Sequence, residues 1–265
     1  MTATRAPSDP ARRTPAQPDP ARPTPTTTRP SRRRPDQTLA DVVTAAPSSA
    51  PTLERHGLDY CCGGGRTLQA ACDEAGVDVD TVLRDLDTSA ATGPAPAWAA
   101  MAPDELVDHI EQTHHIYLKA ALPRLDQLAA KVAGVHGGRH PELAAVAALV
   151  RELRADLEPH LAKEEQVLFP MIRELVGSTT APAFHCGTLR NPITQLMIEH
   201  DQAGELLAAL RDRTAGFVVP ADGCASYRAL YDGLTELEED THLHVHKENN
   251  LLFPAVVALE AERAT

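Results

Sequence analysis

No apolar run in this sequence approaches the ~20 residues that a membrane-spanning helix needs, so a membrane-embedded protein is not expected. Basic charge is also scarce: 25 Lys and Arg stand against 37 Asp and Glu, for a net charge of −12. A general binder of nucleic acid or of anionic membranes would carry a basic surface instead. The five cysteines (Cys61, Cys62, Cys72, Cys186 and Cys224) are an odd number without regular spacing, which argues against the disulfide framework of a small secreted domain. The N-terminus has Arg pairs but no apolar segment behind them, so it lacks the form of a secretory signal. Strand patterns are missing. The expectation is a soluble, cytoplasmic chain, long enough for one or two domains with a sizeable core. Against these absences, 12 His are an abundance.

Residues 1–36 are Pro, Thr, Arg and Ala with almost nothing apolar. Such a segment cannot bury enough surface to offset its ordering entropy and reads as a disordered tail. Residues 37–88 read as a small helical domain with little core of its own. Leu39, Val42 and Val43 mark its first helix, and Pro51 opens a second that Gly57 closes. Thr67 caps a third, which stops at Gly76, and Asp78 starts a fourth carrying Val79, Val82, Leu83 and Leu86. Residues 89–97 (SAATGPAPA) form a small-residue linker. From 98 to 265 the periodicity is helical, over segments 103–131, 141–176, 192–213 and 224–260. Four long helices in series predict an all-α, up-down four-helix bundle.

Within that bundle one motif occurs twice. HLAKEEQVLFP (160–170) and HVHKENNLLFP (244–254) share the pattern H-x-x-K-E-x-x-x-L-F-P, and they use two of the chain's 4 Phe. On a helix, residues i and i+4 share a face about 6 Å apart along the axis. His160 therefore points with Glu164, and His244 with Glu248. A single H-x-x-x-E is often just a solvent-facing pair, but two copies with one tail are not. The tail directs an aromatic toward the bundle centre and interrupts the helix at Pro170 and Pro254, just beyond each pair. The alignment also chooses between neighbours. Glu164 corresponds to Glu248, whereas Glu165 falls opposite Asn249. His242 and His246 are extras, read as surface or supporting groups.

Each copy has a partner helix upstream. MIEHDQAGELL places His200 before His244 at nearly the interval by which THHIYLKAALP places His115 before His160. Leu122 follows His115 as Leu207 follows His200. His114 fits almost as well as His115, and any one of these histidines alone could be a satisfied core residue. Together the halves supply four His and two Glu converging inside the bundle. Imidazole with carboxylate suits iron, manganese or zinc. Two carboxylates amid four imidazoles suit two ions bridged by Glu164 and Glu248, and burying these groups without metal would be costly. The expected centre is dinuclear, with iron the expected metal.

The segments TLADVV, LDYCCGGGRTLQAAC, THHIYLKAALPRL, KVAGVHGGRHPEL, HLAKEEQVLFP, MIEHDQAG and HKENNLLFP resemble the repair of iron centres family, di-iron hemerythrin-like proteins linked to restoring damaged iron–sulfur clusters. The resemblance runs from residue 38 to about 260. It implies two non-haem iron ions held by His115, His160, Glu164, His200, His244 and Glu248. It also implies a stress protein whose partners are iron–sulfur proteins damaged by nitric oxide or peroxide, mended by donated iron. Binding or reduction of nitric oxide or dioxygen at the same centre is the alternative, and a homodimer is one arrangement left open. The long N-terminal extension and the run His242, His244, His246 depart from the family.

Cys61 and Cys62, in CCGGG, carry a separate expectation. Adjacent cysteines close a strained ring, so they are read as free thiols. Glycines permit unusual backbone angles and close approach by another surface. A thiol near the start of the helix at Thr67, with Arg66 beside it, would have a lowered pKa. A redox or sulfur-transfer thiol, a transient iron ligand and buried small residues all remain open. Cys72 is read as core.

Overall fold

The computed structural model of the protein describes residue 1, residues 33–89 and residues 96–264. Most of the expected tail (2–32) and the middle of the expected linker (90–95) lie outside the described residues. Residues 33–36, assigned to the tail by composition, are engaged. Arg33 donates to the Leu86 carbonyl and to Ser49 Oγ (2.6 Å), and the Pro35 carbonyl accepts from Gln69 N (2.9 Å).

Four short helices form the N-terminal module: α1 (Leu39–Ala45), α2 (Ala50–Arg55), α3 (Leu68–Ala75) and α4 (Val79–Ser89). Local chemistry sets their ends. Thr38 and Asp41 satisfy each other's backbone N–H groups as a capping box, and Thr67 Oγ1 accepts from Ala70 N at 3.2 Å. The chain leaves α3 through Gly76 at φ +67°, a conformation that costs glycine little. Leu39, Val43, Leu53, Leu68, Cys72, Val82 and Leu86 are fully buried, and their cluster is completed by Val245 from the bundle.

The bundle consists of four rods. The first is α5 (Pro103–Ile110) with α6 (Ile116–His136), and the second is α7 (Glu142–Lys163) with α8 (Phe169–Gly177). The third is the unbroken α9 (Arg190–Arg213), and the fourth is α10 (Ala225–Lys247) with α11 (Phe253–Arg263). Each two-part rod is joined by a π turn: Glu111–His115, Glu164–Leu168 and Glu248–Leu252. The sequence predicts an interruption just beyond each His–Glu pair, but it begins at Glu164 and Glu248 themselves. Pro170 and Pro254 have no N–H for the carbonyl four residues back, and the wider turn absorbs the loss: Phe169 N donates to Glu164 O, and Phe253 N to Glu248 O. The turn at Glu111–His115 contains no proline.

Two apolar cores fill the bundle. One gathers Leu118, Leu125, Val150, Leu153, Leu207, Leu230 and Leu237. The other gathers Ile110, Phe169, Ile172, Leu196, Phe253 and Val256. Between them lies a layer of buried polar side chains. Among the described residues there is no β-strand, only isolated bridges, and no helix long and apolar enough to cross a membrane.

Candidate metal centre

The polar layer is built from the doubled motif. His160 lies in the last turn of α7, before Glu164 opens the π turn, and His244 lies in the last turn of α10, before Glu248. His115 closes the first π turn, and His200 comes from the middle of α9. All six are at most 2% exposed. His115 Nε2 lies 3.4 Å from Glu164 Oε2 and His160 Nε2 lies 3.3 Å from Glu164 Oε1. His200 and His244 approach Glu248 through Nε2, each at 3.1 Å. The donors form two groups, His115/Glu164/His244/Glu248 and His160/Glu164/His200/Glu248, each with its ligand atoms within 4.8 Å of one another. Both carboxylates belong to both groups.

The hydrogen bonds around the layer test whether metal ions fit it. His115 Nδ1 donates outward to Glu165 Oε1, His160 Nδ1 to Glu199 Oε2 and His200 Nδ1 to Asn249 Oδ1, each at 2.9 Å. Those bonds place the ring proton on the outer nitrogen and leave Nε2 with an inward lone pair. Yet the Nε2 atoms of His115 and His244 face each other at 3.3 Å, and those of His160 and His200 at 3.1 Å. At the His160–His200 pair both outer nitrogens are bound, so two lone pairs face each other there without bonding. All four oxygens of Glu164 and Glu248 are buried without a hydrogen-bond partner. Neutral imidazoles and carboxylates with unused lone pairs, aimed at two common points, fit two metal ions.

The charges respond to this crowding. Burial and the facing Glu248 push the Glu164 carboxyl up, but the surrounding imidazoles hold it below its ordinary range. Glu248 is held well below, its burial outweighed by His244 and His200. Without metal, His160 is raised to about 9 because Glu164 beside it outweighs burial, so a proton takes the inward nitrogen that a metal ion would otherwise occupy, whereas burial lowers His244. Phe169 stacks on the His115 ring with centroids 5.4 Å apart and Phe253 on His200 at 6.0 Å, which gives the shared Leu-Phe-Pro tail its place.

Other predicted residues fall outside the layer. His114 is buried but turns away, with Nδ1 on Asp240 at 2.8 Å and Nε2 on Lys247 Nζ at 2.7 Å. His246 is fully buried, not a surface group: its ring meets Thr44 Oγ1 (3.1 Å) and packs edge-on against Tyr60 and Trp98. His242 reaches Glu54 at 3.0 Å. Both extras tie α10 to the neighbouring module.

Cys61 and Cys62 are free thiols outside the metal layer, on a turn that docks against the fourth rod. Asn250 Nδ2 donates to the carbonyls of Cys61 (3.0 Å) and Tyr60 (3.2 Å). The glycines serve close approach, since a Cβ on Gly64 would stand 2.5 Å from Asn250 Oδ1 and from Tyr60 O, and none of Gly63–Gly65 has a positive φ. The expected lowered thiol pKa is not found at Cys61. Its hydrogen bond with Cys62, its burial and the carboxylate of Asp59 push the thiol well up. Arg66 turns to Glu74 and the Gly63 carbonyl instead.

Sequence reasoning did not find the residues that hold the imidazoles from behind. Glu165, with Lys119, and Glu199, with Lys163, do this through carboxylates, and Asn249 does it through an amide. A signal existed: Glu165 and Asn249 occupy the same position of the repeat and do the same work.

Residues 106–256 match the Hemerythrin HHE cation binding domain, and residues 35–90 match ScdA_N, a domain of unknown function. The chain is 35% identical over 224 residues to the iron–sulfur cluster repair protein YtfE of Enterobacter sp. (strain 638), covering 84% of this chain and 98% of that protein. It is 34% identical to a probable iron–sulfur cluster repair protein of Haemophilus influenzae, over 83% of this chain and 96% of that one. The corresponding figure for YtfE of Escherichia coli O81 is 33%, over 84% and 98%. With that coverage and a buried His/Glu layer in its hemerythrin domain, this chain belongs to the repair of iron centres family of hemerythrin-like iron–sulfur cluster repair proteins.

Proposed function

We propose that the chain holds two iron ions between His115, His160, Glu164, His200, His244 and Glu248, and that it repairs iron–sulfur clusters damaged by nitric oxide or peroxide by donating iron. It would do so as a stress protein of the cytoplasm, with the bundle (98–265) storing the metal and the module at 37–88 presenting Cys61 and Cys62 to the client. The observation that carries the reading is the pair of four-donor groups sharing Glu164 and Glu248. Bound there, two irons supply an exchangeable ferrous or ferric reservoir.

The protein's own groups set how that reservoir is held. Glu165, Glu199 and Asn249 fix the outer nitrogen of three imidazoles, so Nε2 is presented without a proton. Phe169 and Phe253 exclude water from two of the rings. Two carboxylates leave two divalent ions only partly neutralised, which favours release over permanent retention. A surface depression of ≈ 180 Å³ lined by His160, Lys163 and Glu199 lies behind one ligand. The thiol turn docked on the bundle supports repair over simple gas binding, which has no use for such a module.

The test mixes the chain, loaded with isotopically labelled iron, with an enzyme whose iron–sulfur cluster has been damaged by peroxide. Recovery of activity together with labelled iron in the client is the expected result. Gas consumption without transfer of label would overturn the reading.

A further inference from the structure

Cys61 and Cys62 do not stand alone. Cys61 Sγ lies 4.0 Å from Cys62 Sγ and 3.1 Å from Asp59 Oδ1, and the three side chains bring one ligand atom each within 4.8 Å of the others. The Asp59 carboxylate also accepts the backbone N–H groups of Cys61 (2.9 Å), Cys62 (3.0 Å) and Gly63 (2.9 Å), which fixes the turn and aims both thiols at one side of that carboxylate. The turn forms one wall of a cavity of ≈ 530 Å³. Five carboxylates line it (Glu54, Asp59, Asp201, Glu205 and Glu238) against one guanidinium, Arg211, which is itself bound to Glu238. The interior is set to attract a cation.

We propose that Asp59, Cys61 and Cys62 form a second type of metal site in this protein, binding one thiophilic divalent cation such as ferrous iron at the wall of the acidic cavity. The proposal rests on the iron-donation reading and names the place where a departing ion is held for the client. Two sulfurs and one carboxylate oxygen are a donor set for iron, zinc or cobalt. Three protein donors leave coordination positions open, so a client thiolate can enter before the protein's ligands leave. On binding, each thiol gives up its proton to solvent as its sulfur–metal bond forms, and no electron changes hands. The S–H of Cys61 now directed at Asp59 is the bond the cation replaces. Crowding of two thiols and a carboxylate, which pushes the Cys61 proton affinity up, is relieved by the same event.

Cobalt(II) is the probe, added without oxygen to the full chain whose bundle is already filled with iron. The expected result is one further equivalent bound, a sulfur-to-cobalt charge-transfer band in the near ultraviolet, and release of two protons per cobalt. Cys61→Ser and Cys62→Ser should each abolish the band. Asp59→Asn should weaken cobalt binding by roughly tenfold or more, the lower end of what even an outer partner of a ligand contributes. Asp59→Asn could also disturb the turn, so circular dichroism and iron content are read on the same sample, and Glu205→Gln, on the cavity wall but outside the donor set, should keep the band. Absence of a thiol-dependent band, or an Asp59→Asn affinity equal to the parent's, would overturn the site. If cobalt fails to bind while the cysteine variants still lose repair, iron donation stands and the site alone falls.

Discussion

Glu164 and Glu165 are adjacent in sequence, yet they should answer opposite questions about the centre. Glu164 is fully buried, and its oxygens belong to both donor groups. Glu164→Gln should therefore remove metal from both positions at once. Glu165 is bound from behind by His115 Nδ1 at 2.9 Å and by Lys119 Nζ at 2.5 Å. The amide oxygen of Glu165→Gln can still accept the Nδ1–H bond, so ring orientation survives and the negative charge alone is lost. That places the cost at the lower end for outer partners of metal ligands, about tenfold in affinity or about 1.4 kcal/mol. Glu165→Leu loses orientation and charge together and should cost about a hundredfold, near 2.7 kcal/mol. The assay is iron per chain after gel filtration, followed by competition against a chelator of graded concentration. The expected order is parent, Glu165→Gln, Glu165→Leu, then Glu164→Gln with no retained metal. A Glu164→Gln protein that keeps its full complement, or a Glu165→Gln protein that loses all of it, would refute the assignment.

Three further outcomes are expected. His115→Leu should lose metal while His114→Gln keeps it, since His114 spends both ring nitrogens on Asp240 and Lys247; metal content of the two variants decides this. Cys61→Ser combined with Cys62→Ser should leave the iron centre of the bundle and its absorption band intact but impair recovery of a damaged client, and loss of that band would place the thiols at the bundle's metal instead. Without metal, the parent should lose more stability than His160→Gln between pH 6.5 and 8. His160 has a folded pKa raised to about 9, so its charge attraction to Glu164 contributes fully below the unfolded value near 6.5 and fades as pH rises toward 9. The difference between the two amounts to roughly 1.5 kcal/mol over that window, which urea denaturation at the two pH values can resolve; equal pH dependence of parent and variant would contradict it.

The repeat made the ligand helices and their converging faces legible, because a His-x-x-x-Glu spacing and a Leu-Phe-Pro tail each have a geometric meaning on a helix. What it hid was set by contacts distant in sequence. Nothing at Glu111–His115 announces a π turn, as no proline stands there. Glu199 is an ordinary exposed-face residue of α9 until α7 places His160 within its reach. The thiol turn was read by its own neighbours, Thr67 and Arg66, whereas its environment is made by Asp59 beneath it and Asn250 across from it. His242 and His246, spare within the motif, become intelligible once the N-terminal module lies against α10.

The π turns have a mechanical consequence as well as a chemical one. They interrupt three of the four rods at the level of the polar layer, leaving α9 as the rod that runs through it as unbroken α-helix. The bundle thus has two stacked halves, each with its own apolar core, bridged at the polar layer by α9 as α-helix and by three π turns that supply His115, Glu164 and Glu248 among the inward donors. On the iron-donation proposal, giving up the metal would also remove a cross-link between the two halves, so that delivery and loosening become one event.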